Sequence, residues 1–74
     1  MQNIIEDATI IYKNGLKKTC EAISITEKGV YIGYIKPKNE NDEEFVNHSF
    51  IPKDQIQKIM FFSENGKSKD IEMK

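Results

Sequence analysis

Residues 8–26 read ATIIYKNGLKKTCEAISIT, and this stretch decides the fold. Its first run, residues 8–13, is rich in β-branched and aromatic side chains (Thr9, Ile10, Ile11, Tyr12) and reads as a strand. Asn14-Gly15 follows, and both residues tolerate positive φ, so a two-residue type I′ turn is expected to reverse the chain with the twist that adjacent strands require. In the run after it, residues 16–26, the apolar parity changes: Leu16, Cys20 and Ala22 are even-numbered, Ile23 and Ile25 odd. A strand has a strict period of two, so this change predicts a bulge or sharp bend near Ala22. Small barrels close their sheets at such bends.

Working outward, Glu27-Lys28-Gly29 turns the chain into residues 30–35 (VYIGYI), apolar on both parities, with Gly33 where two backbones approach or the strand kinks. Residues 36–44 (KPKNENDEE) are polar throughout and predict an exposed loop. Strand-like content resumes over residues 45–51, and Pro52-Lys53-Asp54-Gln55 reads as one tight helical turn, with proline where a missing N–H costs least. Ile56, Ile59 and Met60 also suit an amphipathic helix over residues 52–60, but Phe61-Phe62 and the short length favour a turn followed by a strand. Asn65-Gly66 is a second hairpin signal, after which residues 68–73 either add a last strand or remain a polar tail.

The chain has 74 residues and a mass of 8.6 kDa, room for one domain over residues 1–74, with 1–7 and 64–74 as the segments able to fray. At this size folding hides only about 60% of the surface of the unfolded chain. Eleven basic against twelve acidic residues give a net charge of −1, which excludes the strongly basic nucleic-acid-coating class. One cysteine excludes an internal disulfide framework and a cysteine-rich zinc module. The longest apolar run, residues 59–62, falls far short of the roughly 20 residues of a membrane span or the 7 to 15 of a signal-peptide core. The expectation is a soluble, cytoplasmic protein that makes no use of a membrane. No repeat or linker divides the chain.

The order of run, Asn-Gly turn, bent long strand, glycine turn, strand, variable loop, strand, helical turn and short strand resembles the SH3-like small barrels, and in particular the Sm-like RNA-binding family, over residues 8–62. The resemblance implies a mainly β, five- to six-stranded antiparallel barrel with one helical turn near residues 52–55. Its core would draw on Ile10, Tyr12, Ile23, Ile25, Val30, Ile32, Phe50, Ile56, Ile59 and Phe61. In bacterial Sm-like RNA chaperones a Tyr-Lys-His triplet before the last strand clamps uridine-rich RNA. Aligning on Ile56 and Ile59 places Pro52, Lys53 and Asp54 on it, so only the lysine survives, and Asp54 sets negative charge where phosphate would sit. The archaeal and eukaryotic Sm signature, with Asp and Asn after the long strand and a basic-Gly pair near the final strands, meets Glu27-Lys28-Gly29 and a helical turn without glycine. The implied architecture thus comes without the implied RNA chemistry. The sequence is also similar to short uncharacterised prokaryotic proteins ending in Ile-x-x-Ile-x-Phe-Phe, matched here by Ile56, Ile59, Phe61 and Phe62, which implies no activity.

Candidate chemistry is sparse. Cys20 and His48 would form a thiolate nucleophile if the fold set them within about 3 Å, but a mid-strand cysteine more commonly packs as a small apolar residue. Glu40, Asp42, Glu43 and Glu44, with Asn39 and Asn41, offer hard oxygens for calcium, yet an EF-hand's glycine, glutamate and flanking helices are missing, so a solvated loop is expected. Asn47-His48-Ser49 matches a glycosylation sequon only formally. All eleven basic residues are lysine, and the absence of arginine argues against sequence-specific nucleic-acid reading. Lys13, Lys17 and Lys18 at the first hairpin, Lys36 and Lys38 in the variable loop, Lys53 in the helical turn and Tyr31 are the candidate contacts for nucleic acid or a partner, with Tyr12 and Tyr34 as further stacking faces. The expected function is a non-catalytic interaction or adaptor module, self-associating or binding another protein through a strand edge, with no cofactor and no metal. The alternative is an oligomeric Sm-like RNA binder.

Overall fold

The computed structural model describes residues 4–63 and 65–73. They form six antiparallel strands in one open sheet: β1 (Ile4–Tyr12), β2 (Lys17–Ile25), β3 (Gly29–Pro37), β4 (Glu43–Pro52), β5 (Ile56–Phe62) and β6 (Ser68–Glu72). Their order across the sheet is β4-β3-β2-β1-β5-β6. The one helical element among the described residues is the 3₁₀ turn Lys53–Gln55, capped by Pro52 in extended conformation. Of the expected fraying ends, Ile4 to Asp7 lie in β1 and Ser68 to Glu72 form β6, while residues 1–3, 64 and 74 lie outside the described residues.

The first hairpin forms where Asn14-Gly15 places it, by a different turn. Ile11 pairs with Lys17, the Tyr12 and Leu16 backbones bond at 2.8 Å, and the Gly15 N–H donates to Tyr12 O at 2.9 Å. This is a three-residue loop with only Gly15 at positive φ, +91°. The reason lies in the Asn14 side chain, whose Oδ1 accepts from the Leu16 N–H at 3.0 Å and so does a turn's work without a left-handed backbone at Asn14 itself.

The change of face falls between Cys20 and Ile23, and β1 makes it at the same place. Ala8 and Cys20 are opposite each other and both enter the core, as do Ile5 and Ile23, although each pair differs from the other by an odd number of residues. The register is the same on either side and only the rung of Asp7 and Glu21 is missing from the ladder, so the two strands bend there together and neither slips against the other. Asp7 takes up the bend in the left-handed region, φ 55°.

The bend brings distant turns together. The Lys53 N–H donates to Lys28 O and the Lys13 N–H to Gln55 O, both at 3.0 Å, so the three-residue 3₁₀ turn joins the loops at the two ends of β2. A straight nine-residue strand would hold those ends about 27 Å apart; three residues span about 10 Å at most. The sheet therefore coils over its own apolar face. Ile51 of β4 and Ile56 and Ile59 of β5 share one cluster with Ala8, Ile10, Cys20, Ile23, Val30 and Ile32, and among the described residues no second layer of secondary structure packs on the sheet. Tyr12, Ile25 and Phe61 pack against it half-buried.

Two more expectations are corrected. Phe50 is 42% exposed, because Ile51 opposite Val30 takes the inward position and alternation turns Phe50 out against Tyr31. The loop of residues 36–44 shrinks to 38–42, since Lys36, Pro37, Glu43 and Glu44 continue the β3–β4 ladder. Beyond Gly33, β3 pairs with β4 but no longer with β2, so residues 34–37 and 43–46 make a two-stranded arm, consistent with the 41 Å long axis.

Candidate functional site

The bend sorts the candidate residues into two groups. Lys13 and Lys53 come together around the 3₁₀ turn, joined by Lys28, and Lys17 and Lys18 follow on the first rungs of β2 opposite Ile11 and Ile10. Lys36 and Lys38 are on the arm; Lys36 lies five residues along β3 from Tyr31, about 17 Å on a straight strand. The Lys36 ammonium is 3.4 Å from Glu44, an exposed cross-strand pair.

Tyr31 stacks against Phe50, ring centroids 4.8 Å apart and tilted by 50°, on the outer face beside the Lys28 loop. The Phe50 ring occupies the space over Gly29, where an added Cβ would come within 2.9 Å of its Cζ. Between the Lys28 loop and the 3₁₀ turn a shallow depression is lined by Lys28 and Lys53, but equally by Glu27 and Asp54. Two lysines against two carboxylates leave no net attraction for a phosphate backbone. Tyr12 packs half-buried against the core.

Cys20 and His48 are not brought together. The thiol is buried, with Sγ 3.7 Å from Lys18 O, and burial raises its pKa against the smaller, opposing pull of the Lys18 charge. His48 is exposed on β4 and stacks on Tyr34, centroids 6.5 Å apart, with Nδ1 3.0 Å from Ser49 Oγ. It is the extra residue of a bulge: Ile32 faces Ser49 and Gly33 faces Asn47, so nothing on β3 opposes it. In the acidic loop Asn39 organises the chain, its Oδ1 accepting from the Asn41 and Asp42 N–H groups at 3.1 Å. Among the described residues no three His, Cys, Asp or Glu side chains gather to hold a metal ion.

The chain matches no family model, no curated protein and no solved structure. Among the described residues no helix is long and apolar enough to cross a membrane.

Three features escape sequence reasoning. Phe50 joins Tyr31 outside, Leu16 is 65% exposed at the hairpin tip, and a cleft of about 290 Å³ opens between the start of β1 and the arm. The cleft is lined by Ile4, Ile35 and Phe45, with Glu6, Glu43 and Glu44 at its sides. Only the exposed leucine carried a signal: Leu16 breaks the polar composition of KNGLKK.

Proposed function

We propose that this chain is a small barrel of the SH3-like, Sm-like kind, acting in the cytoplasm as a non-catalytic interaction module that associates through a strand edge. The observation that carries this reading is the outer edge of β4. That strand runs ten residues, has a neighbour on one side only, and holds no lysine from Glu43 to Ile51. Natural edges are blunted by lysine, proline or bulges. Here the bulge at His48 interrupts the edge but leaves the Ser49, Phe50 and Ile51 side free for a fourth-party strand. The barrel part of the reading is supported by the coiling of the sheet, the 3₁₀ turn that ties both ends of β2, and the shared core of β4 and β5. A chain of this kind works as a docking surface, because its interior is filled by the isoleucine cluster.

A second reading, an oligomeric Sm-like RNA binder, is favoured by one observation, the exposed Tyr31–Phe50 stack beside Lys28 and Lys53. Solution mass by light scattering at low and high salt, with and without a mixed short-RNA pool, separates the two. Association that is lost in Asn47→Lys/Phe50→Lys and indifferent to RNA is expected for edge pairing. A larger, RNA-laden species at low salt that dissolves at high salt establishes the RNA reading instead.

A further inference from the structure

We infer that the tip of the β1–β2 hairpin of one molecule docks into the cleft at the opposite end of a second copy. The tip is an apolar knob in a basic collar. Leu16 is 65% exposed, with Lys13, Lys17 and Lys18 exposed around it. The three hydrogen bonds of the loop fix its shape, so little freedom remains to be lost on docking.

The cleft is the complement of that knob. Ile4, Ile35 and Phe45 are half-buried and supply the apolar lining. Glu6 and Glu43 make no ion pair among the described residues, and Glu44 shares its charge with Lys36 at 3.4 Å. A volume of about 290 Å³ lies at the lower bound of small-molecule sites, which suits one inserted side chain better than a metabolite. On the adjacent loop Glu40 and Asp42 outnumber Lys38, so the field there stays negative.

The tip comprises the loop after Tyr12, whereas the cleft is lined by the start of β1 and the β3–β4 arm, and no residue of the tip lines the cleft of its own molecule. The contact therefore joins two copies, head-to-tail. Such a contact closes into a ring or continues as a filament. It buries little area, so the association is transient and steered by charge. It uses the Glu43, Glu44 and Phe45 side chains at the start of β4 but not the free Ser49 to Ile51 side of that strand, and so goes beyond the strand-edge reading.

Sedimentation velocity on the full chain, from about 10 μM to about 1 mM, tests it at low and high salt. Wild type is expected to associate at low salt and to do so at least tenfold more weakly at high salt. Leu16→Asp, which loses the knob, and Glu43→Lys/Glu44→Lys, which reverses the rim, are each expected to stay monomeric. Their equimolar mixture, one intact cleft and one intact tip, is expected to give a dimer and nothing larger. Circular dichroism checks that each variant is folded, with Lys17→Glu/Lys18→Glu as a second collar variant. A wild type monomeric throughout overturns the inference. So does undiminished association of the Leu16→Asp variant, and if Asn47→Lys/Phe50→Lys then abolishes it, the strand edge carries the assembly.

Discussion

Replacing Gly33 with alanine probes the point on which the β3–β4 arrangement turns. A Cβ there would overlap the Val46 carbonyl oxygen and stand 2.7 Å from Asn47 Cα. Both are backbone atoms of the bulged strand, so no side chain can swing aside, and β4 must move or give up the bulge at His48. Overpacking against movable neighbours costs about 1–3 kcal/mol, and an immovable backbone belongs at the top of that range, about 3 kcal/mol. For 74 residues at about 0.05–0.15 kcal/mol each, the whole stability is about 4–11 kcal/mol, so this one methyl removes a quarter to three quarters of it. The matching shift in Tm is about 12–24 °C for a domain of this size. Gly15→Ala is the control: its φ is +91° but nothing lies within 4 Å of the added Cβ. It carries only the left-handed penalty of about 1–2 kcal/mol, reduced by about 0.4–1 through loss of unfolded-state entropy. Urea titration of both variants, followed by circular dichroism, should separate them by about 2 kcal/mol. Equal destabilisation would refute the claim that close approach at the bulge, and not backbone freedom, is what demands glycine at position 33.

Substitutions at three further positions test the core and its bend. Asp7 is held at φ 55°, so Asp7→Ile should cost about 1–3 kcal/mol while Asp7→Asn stays within about 0.5, read by thermal melts; equal costs would mean the rung is not strained. Ile71 pairs with Ile59 and is half-buried against the core, so Ile71→Ala should lose about 1–2 kcal/mol, below the 2–5 of a fully buried isoleucine, and no loss would detach β6 from the core. Cys20 should react with iodoacetamide only on unfolding. Because burial raises its pKa, the thiol stays neutral in the fold, and its contribution is constant below the ordinary thiol value of 9.0 and is lost as pH rises past it; wild type should weaken there more steeply than Cys20→Ala.

Strands, turns and the site of the bend are legible in the sequence because they depend on local chemistry. Asn14-Gly15, the parity change at Ala22 and the proline before Lys53 each act within a few residues. What escapes is set by pairing. Phe50 and Ile51 are equally apolar, and only the rung opposite Val30 decides which one is buried. Asp7 shows no pattern of its own in the sequence, yet it must change face because its partner strand does. The polar residues 36–44 could not pay for order by burial, but Lys36 to Pro37 and Glu43 to Glu44 are ordered by ladder bonds, which composition does not reveal. The seven candidate contacts fail to form one patch for the same reason: Lys36 and Lys38 are close to the others in the sequence and far away along β3.

The rung of Asp7 and Glu21 connects the core to the candidate surfaces. By changing face there, β1 and β2 each turn an apolar stretch toward the interior on both sides of the bend, which is how so small a chain buries Ile10, Ile23, Ile56 and Ile59 completely. The same geometry limits the pairing. β5 meets β1 only from Thr9 to Tyr12, and β2 meets β3 only from Ala22 to Ile25, so the start of β1 and the arm of β3–β4 are each left with a neighbour on one side. Ile4, Ile35 and Phe45 stay half-buried there because the interior has no room for them, and the cleft is what remains between two incompletely paired elements. Core closure and cleft thus have one origin, and a substitution that straightens the rung, such as Asp7→Ile, should weaken head-to-tail association along with stability. A variant that lost stability there and kept the association would separate them.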